Sequence, residues 1–362
     1  MPTFKPRIRL QTASAIVIAN MIGTGVFTSL GFQVLQIKSG FVLLALWAVG
    51  GLCALCGALC YGELGASMPR SGGEFHYLSK IYHPALGFLA GWVSVTVGFA
   101  APIAAAAMAM GKYASQVFPG INSLGIATAV VVLVALVHIN NIQFSSYFQN
   151  ILTGLKILLI LSLCACGLLL TKGQTTISFM PMPGDFQQLL SVPFATSLVY
   201  VMYAYSGWNA ATYIANEIEE PQKNLPKALL IGTALVMGLY LLTNFVFLYT
   251  APLDELAGKL EVGYIAATHI FGPEGGKIMA LLIAFGLISA ISAMTWAGPR
   301  VTQSMGEEIP FFRWFSTENK QGIPKNAILI QSALVIAMLW TATFDALITY
   351  LSFTLTLSAF LT

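Results

Sequence analysis

The sequence predicts an all-α membrane protein of about ten transmembrane helices, arranged as two sets of five with the first helix of each set broken. Charged residues make up only 9% of its 362 residues, whereas 57% are hydrophobic. A soluble domain carries about 25% charged residues, so this chain lacks the polar surface that water requires. Apolar stretches of about 20 residues, each long enough to cross about 30 Å of hydrocarbon, recur along its whole length.

Short polar loops join these stretches. They lie near 11–37, 40–67, 84–115, 123–140 and 146–171, and then near 190–216, 225–250, 273–303, 326–342 and 345–362. We expect residues 1–172 to form a first five-helix repeat, 173–189 an extracellular connector and 190–362 a second five-helix repeat. Because five is odd, the second repeat enters the membrane with the opposite orientation and is an inverted repeat.

The distribution of Lys and Arg indicates the orientation, because basic residues concentrate in cytoplasmic loops. With a cytoplasmic N-terminus, the inner set is Lys5, Arg7, Arg9, Arg70, Lys80, Lys223, Lys227, Arg300, Arg313, Lys320 and Lys325. The outer set is smaller: Lys38, Lys112, Lys172, Lys259 and Lys277. We therefore expect a multi-pass protein of the plasma membrane, the inner membrane in a bacterium, surrounded by lipid and with its N-terminus in the cytoplasm.

Several classes of protein are excluded by composition. Lys+Arg 17 against Asp+Glu 14 gives a net charge of +3 without a basic cluster, which argues against nucleic-acid binding. The cysteines lie inside apolar stretches, where they form neither a disulfide framework nor a paired Cys-x-x-Cys metal site, and we expect them to pack as small residues. The scattered histidines and the absence of G-x-S-x-G and H-E-x-x-H patterns predict no enzyme, no cofactor and no metal.

Two of the apolar stretches are interrupted near their middle. The first contains Gly23-Thr24-Gly25 and the sixth contains Ser206-Gly207. Glycine weakens a helix by about 1 kcal/mol relative to alanine, although glycine in membrane helices also permits close packing, and either break alone leaves that alternative open. Interruptions at matching places in two inverted halves instead indicate the midplane binding site of a transporter.

Unwound backbone inside the bilayer exposes N–H and C=O groups that must find partners. The N–H groups of Thr24, Gly25 and Val26 would open the second half of helix one, a positive dipole end that suits a carboxylate. Free carbonyls suited to an ammonium group are those of Met21, Ile22, Tyr203, Ala204 and Ser206. A ligand that satisfies both kinds of group is an α-amino acid. No charged side chain is apparent at this site, which favours a neutral one.

Six motifs resemble those of the amino acid–polyamine–organocation (APC) superfamily of transporters, and several resemble its L-type amino-acid transporter branch. They are Gly23-Thr24-Gly25-Val26-Phe27, Tyr61-Gly62-Glu63-Leu64, Pro69-Arg70-Ser71-Gly72-Gly73-Glu74, Tyr205-Ser206-Gly207-Trp208-Asn209, Asn224-Leu225-Pro226-Lys227-Ala228 and Gly298-Pro299-Arg300-Val301. The resemblance spans essentially the whole chain. It implies the LeuT-type five-plus-five fold and secondary transport of amino acids by alternating access. A polyamine or cationic amino-acid transporter of the same fold, or a channel, is the alternative.

The resemblance also implies roles for three residues of helix six. Tyr203 matches the aromatic residue that covers the bound substrate, and Trp208 and Asn209 lie beside the pocket. Ordinary apolar packing is the alternative for Tyr203 and Trp208. Asn209 is harder to explain by packing, because an amide in hydrocarbon needs hydrogen-bond partners.

Lys156 lies within the otherwise apolar fifth helix. Sodium-independent family members resemble it in carrying a lysine where sodium-coupled relatives hold an ion, so we expect its ammonium group to bind the freed carbonyls near Gly23. Ser289 and Ser292 match the other wall of that ion site. Snorkelling towards the cytoplasm is the alternative for the lysine. A buried amine is also a candidate proton carrier, so exchange and proton symport, both sodium-independent, remain open.

The chain departs from the family in two places. The loop from Gln116 to Leu124 has no cysteine, whereas L-type members that pair with a glycoprotein carry one there, so we expect no disulfide-linked heavy subunit. Members usually have about twelve helices, so we expect the second repeat to lack helices 11 and 12, either because the protein has none or because the sequence is a fragment. The acidic residues Glu63, Glu217, Glu219 and Glu220 either form inner-gate ion pairs with Arg70, Lys80 and Arg300 or end helices in solvent.

Overall fold

The protein is described from a computed structural model that covers residues 8–140, 142–171, 177–320 and 322–362. Within these ranges the chain is helical and contains no strand, apart from one parallel bridge between Ile8 and Ile218. Lys5, Arg7, Lys172 and the first part of the predicted connector 173–189 lie outside the described residues.

Each of the predicted apolar segments is helical. The helices are α1 (Leu10–Met21), α2 (Gly25–Gln33), α3 (Gly40–Ser67), α4 (Glu74–Ile81), α5 (Pro84–Val93), α6 (Ala100–Val117), α7 (Ser123–Asn140), α8 (Ile142–Leu170), α9 (Asp185–Gln188), α10 (Val192–Tyr205), α11 (Pro221–Thr250), α12 (Leu253–Leu256), α13 (Val262–Glu308), α14 (Lys325–Thr341) and α15 (Phe344–Leu361). Seven helical segments of the described chain are long and apolar enough to cross a membrane, and α14 is a shorter apolar helix.

Both predicted breaks are confirmed. The first segment divides into α1 and α2 around residues 22–24, and the sixth divides into α10 and a 3₁₀ helix, Ala210–Glu217, around residues 206–209. Gly207 has φ +93°, a left-handed conformation that glycine adopts without steric cost. Its presence at the break is therefore explained by backbone geometry.

The two breaks touch each other. A Cβ atom added at Gly25 would lie 2.5 Å from Ala204 Cα, and one added at Gly207 would lie 3.0 Å from Asn20 Cβ. Glycine at these positions allows the start of α2 to approach the end of α10, and allows the residues after α10 to approach the end of α1. The unwound segments thus meet in the centre of the bundle.

The third and eighth segments also deviate from regular α-helix. A π-helical turn, Ser94–Gly98, separates α5 from α6. Helix α13 begins earlier than the predicted segment 273–303, and it bends at Gly272, which has φ +77° and precedes Pro273. A proline fixes φ near −65° and suits the first turn of a helix, so the predicted boundary coincides with this bend.

Polar contacts close the end of the bundle at which α1 begins, the end that the predicted topology places in the cytoplasm. Arg300 Nε donates to Glu217 Oε1 at 2.7 Å, and Trp296 Nε1 donates to Glu217 Oε2 at 3.2 Å. The arginine and the glutamate are both buried. Ile8 exchanges backbone hydrogen bonds of 3.0 Å with the Glu217 carbonyl and the Glu219 N–H, so the chain before α1 is tied to the end of helix six.

The other acidic residues at this end differ in their surroundings. Glu219 lies 4.0 Å from Arg9, and Glu220 pairs with Lys223 at 3.0 Å, both in exposed positions. Glu63 is exposed, and the described residues give it no ion-pair partner. Arg70 pairs with two acidic residues at the end of α13 instead, which are Glu307 and Glu308.

The contact between the breaks predicts that Gly25→Ala destabilises the protein. The added Cβ would press on Ala204 backbone, and overpacking of this kind costs about 1–3 kcal/mol. The control is Gly238→Ala in α11, where nothing lies within 4 Å of the added Cβ and alanine is favoured over glycine by about 0.5–1 kcal/mol. Thermal unfolding in detergent should show a lower Tm for Gly25→Ala only. Equal Tm values for the two variants would contradict the close approach.

Candidate functional site

A cavity of about 550 Å³ lies where the two broken helices meet. This volume falls in the range of small-molecule sites, about 300–1,000 Å³. Most of the predicted substrate-binding residues line it: Met21, Thr24, Gly25, Tyr203, Ala204, Ser206, Trp208 and Asn209. Ile22 and Val26 do not, and both are fully buried behind the wall.

The start of α2 provides a positive helix end at this cavity. Because α2 begins at Gly25, the N–H groups at its start lack intrahelical acceptors, except that of Phe27, which donates to Thr24 O at 2.9 Å. Thr24 and Gly25 are both part of the cavity wall. A carboxylate at such an end is stabilised by the unpaired N–H groups and by the helix dipole.

Protein donors occupy several of the carbonyls that the sequence predicted to be free. Tyr240 Oη, on α11, lies 2.5 Å from Met21 O and 3.0 Å from Ala204 O, so its single proton is shared between the two breaks. Tyr203 O accepts a hydrogen bond of 3.0 Å from Ser206 N. These carbonyls therefore already accept hydrogen bonds from the protein, and each oxygen has a second lone pair that can accept another donor. Backbone groups inside a bilayer need a partner even when no ligand is bound.

Lys156 binds the carbonyl of Ile22, the residue after Met21. The side chain is 2% exposed, and its Nζ donates to Ile22 O at 2.5 Å and to Ala19 O at 3.4 Å. These oxygens lie at the C-terminal end of α1, the negative end of the helix dipole, which favours a cation. The ammonium group reaches the break next to Gly23 and does not extend along α8 towards the bundle end, so snorkelling does not describe this conformation.

The two serines of α13 are buried near this lysine's helix. Ser289 Oγ lies 3.3 Å from Gln149 Nε2 and 3.5 Å from Thr153 Oγ1, both on α8. Ser292 Oγ lies 2.9 Å from His138 Nε2 on α7. The hydrogen bonds described for the two serines thus connect α13 to α7 and α8, and none of them goes to Lys156.

Two polar contacts of helix six border the cavity. Tyr203 Oη and Thr24 Oγ1 lie 2.8 Å apart and connect the two broken helices directly. Asn209 Nδ2 donates to Glu74 Oε1 at 2.6 Å and to Tyr213 Oη at 2.9 Å. The wall is therefore polar at the breaks and carries aromatic rings beside them.

Sequence reasoning missed Tyr240 and Glu74. A tyrosine within an apolar stretch carries no signal for a carbonyl it will meet on another helix. Glu74 belongs to the motif that resembled the superfamily, but the site was expected to hold no charged side chain. The structure places Glu74 in the cavity wall. Burial raises the pKa of its carboxyl above the usual value.

The cysteines of α3 differ from expectation. Cys53, Cys56 and Cys60 share one helix face as their spacing predicts, but they are exposed rather than packed against a neighbouring helix. Cys53 and Cys60 form part of the cavity wall. That face of α3 therefore borders open space.

Comparisons with known proteins agree with this geometry. The human b(0,+)-type amino acid transporter 1 is 27% identical over 360 residues, which cover 97% of this chain and 73% of the relative. Serine/threonine exchanger SteT of Bacillus subtilis (strain 168) is 28% identical over 349 residues, 95% of this chain and 78% of the relative. The mouse Asc-type amino acid transporter 1 is 30% identical over 324 residues, 84% of this chain and 59% of the relative.

Structural similarity points to the same fold. A crystal structure of MhsT in complex with L-phenylalanine matches with a TM-score of 0.66 at 13% identity, and the match covers 96% of this chain and 86% of that one. This supports the LeuT-type fold with helices one and six broken. The family model described as "Amino acid permease" matches residues 8–362. The chain therefore belongs to the amino acid permease family, within the APC superfamily.

Proposed function

We propose that this permease carries neutral α-amino acids across the plasma membrane without sodium, and that it exchanges one substrate molecule for another. The chain is an amino-acid transporter and not an enzyme, as are its relatives. Sodium independence is supported by one observation: the ammonium group of Lys156 donates a hydrogen bond to the carbonyl of Ile22. The name of SteT, a serine/threonine exchanger, supports exchange of small neutral amino acids.

The proposed substrate site uses both breaks. The substrate carboxylate would lie at the start of α2, and its ammonium group would bind the unwound backbone of helix six. We assign substrate binding to Met21, Ile22, Thr24, Gly25, Val26, Tyr203, Ala204, Ser206, Trp208 and Asn209. Ile22 and Val26 would act from behind the wall, because they position the break without lining the cavity.

Lys156 would replace a coupling ion. A cation bound at the end of α1 neutralises the carbonyls that the break releases, which is the electrostatic task of a bound sodium ion at such a place. A lysine performs that task permanently, so transport should not need sodium. Gly23, Ser289 and Ser292 belong to the same proposed coupling region, in which the serines hold α13 against α8 and α7.

The topology of the carrier follows from the same proposal. The inverted repeats 1–172 and 190–362 would form one bundle in lipid, with the N-terminus in the cytoplasm. Alternating access would move helices of both repeats together, because helices of one repeat pack on those of the other, as α3 does on α11. The ion pair of Glu217 with Arg300 would close the inner side. We propose no disulfide-linked heavy subunit, since the loop from Gln116 to Leu124 offers no thiol.

A cationic amino acid is the second candidate substrate. Glu74 is the one acidic residue among those that line the cavity in the described chain, and a carboxylate there would suit a basic side chain. Competition for uptake of a labelled neutral amino acid separates the two candidates. We expect serine, threonine and alanine to compete, and lysine and arginine not to; the reverse order would favour the cationic substrate.

Transport should be independent of sodium but should depend on Lys156. Lys156→Met removes charge-assisted hydrogen bonds worth about 1.5–3 kcal/mol each, so we expect exchange in liposomes to fall by about tenfold or more, since 1.4 kcal/mol corresponds to tenfold. Gly154→Ala, on the same helix with nothing within 4 Å of the added Cβ, is the control and should keep activity. Strict sodium dependence of the wild type, or an active Lys156→Met variant, would refute the assignment.

The hydrogen bond between Tyr203 and Thr24 should help to hold the substrate. Tyr203→Phe keeps the ring but loses about 1 kcal/mol of hydrogen bonding, so we expect KM to rise about fivefold with little change in maximal rate. Tyr200→Phe is the control, because Tyr200 lies one turn earlier in α10 and stacks on Phe32. If both variants leave KM unchanged, Tyr203 does not cover the substrate.

A further inference from the structure

Glu74 is held against helix six by the turn that precedes α4. Gly72 and Gly73 have φ +121° and +54°, in the region that favours glycine. A Cβ atom at Gly73 would lie 2.3 Å from Cε1 of Tyr213, so the turn packs directly on the 3₁₀ helix. Glu74 follows at once, is 3% exposed and forms part of the cavity wall.

The two carboxyl oxygens of Glu74 have different surroundings. Oε1 accepts hydrogen bonds from Asn209 Nδ2 at 2.6 Å and from Tyr61 Oη at 3.2 Å. Oε2 is buried and has no hydrogen-bond partner among the described residues. An ionised oxygen left without a donor inside a protein is costly. A proton on Oε2 removes that cost and turns the oxygen into a donor.

No cation neutralises this carboxyl among the described residues. The ionisable groups facing it are the hydroxyls of Tyr61 on α3, Tyr213 on the 3₁₀ helix and Tyr77 on α4 itself. The Thr362 hydroxyl, which follows α15, hydrogen-bonds Tyr61 but does not ionise. Helix α5 carries no ionisable side chain.

Two arginines at this end of the bundle are bound to other acidic residues. Arg70 is bound by Glu307 and Glu308, and Arg300 by Glu217. His76 interacts with Arg70, Lys80 and Glu308. Within the part of the chain that the structure describes, Glu74 therefore has hydrogen-bonding neighbours but no counter-ion.

We propose that Glu74 is a proton-binding site of the transport cycle, and that a proton carried on Oε2 crosses the membrane with the substrate. The inference rests on the proposed function, since it supplies the coupling ion for the same cavity. Water on one side gives the proton to the carboxylate, and the neutral acid passes through the closed state. The acid returns the proton to water on the other side. One proton thus accompanies each neutral amino acid in net uptake.

Asn209 connects this proton to the substrate. Its amide bonds to Glu74 and lies two residues after Gly207, the glycine of the sixth-helix break. A change of charge on the carboxyl therefore alters the hydrogen bonds of the segment that holds the substrate. Exchange needs no net proton movement, because each substrate molecule leaves and returns with the carboxyl in the same state.

The first experiment tests for proton movement with the wild-type protein in liposomes. A pH-sensitive dye is trapped inside vesicles free of sodium, and an excess of unlabelled neutral amino acid is added outside. We expect the lumen to acidify as the amino acid enters, and an inward proton gradient to accelerate entry. Exchange without any acidification would overturn the role of Glu74 and leave the proposed function standing. Absence of exchange without sodium would overturn the proposed function itself.

Two variants then assign the proton to its residue. Glu74→Gln should lose both the acceleration of uptake by an inward proton gradient and the acidification of the lumen. Glu63 is an exposed glutamate near the end of α3 that leads to Glu74. The control variant Glu63→Gln should keep both properties. Acidification that persists in Glu74→Gln would overturn the proposal.

If Glu74→Gln does not fold, the pH dependence of proton-driven uptake by Glu74→Asp tests the proposal instead. Burial raises the pKa of Glu74, so the wild type should hold its proton to a higher pH than an exposed glutamate, and proton-driven uptake should be lost as the pH rises through that pKa. The shorter aspartate changes the surroundings of the carboxyl and should move the midpoint of this loss. An unchanged midpoint would overturn the proposal.

Discussion

The structure depends on one constraint: backbone polar groups released by a broken helix must find partners in a medium without water. Lys156 binds the carbonyls of Ile22 and Ala19, and Tyr240 lies between those of Met21 and Ala204. These donors stabilise the two unwound segments at the centre of the protein. The N–H groups at the start of α2 are those proposed to bind the substrate carboxylate. The same requirement thus produces both the stability of the break and its chemistry.

The contacts beside the cavity and those at the end of the bundle where α1 begins differ in strength. Beside the cavity a single neutral hydrogen bond joins Tyr203 to Thr24, and such a bond contributes about 1 kcal/mol. At the end of the bundle Glu217 binds Arg300 and Trp296 in a buried arrangement, supported by backbone bonds to Ile8. Separating a buried ion pair costs several kcal/mol unless water replaces each partner. In the proposed transport cycle, parting Glu217 from Arg300 would therefore require solvent to enter, whereas parting Tyr203 from Thr24 would break one neutral hydrogen bond.

The sequence predicts the parts of this fold that follow from local pattern. Apolar length defines the helices, and glycines at matching places in two inverted halves define the breaks. A single lysine in an apolar helix indicates its own importance, because an intramembrane charge needs a partner. Prediction failed where partners depend on how helices pack. Arg70 binds Glu307 and Glu308 rather than the glutamates considered for it. Tyr240 shares its proton with two carbonyls that are 36 and 219 residues away in sequence, and no spacing rule encodes such contacts.

The position of Lys156 along the chain has a consequence for biosynthesis. A lysine at the centre of a membrane helix costs about 2.5–3.5 kcal/mol when that helix enters the bilayer alone. Its acceptors, Ala19 and Ile22, lie at the end of α1, which is synthesised before α8 and can be in the membrane when α8 is inserted. The ammonium group of the nascent α8 can therefore find its hydrogen-bond acceptors when α8 packs on α1 on leaving the translocon. Because α1 is made before α8, the carbonyl acceptors are available when the lysine enters the membrane.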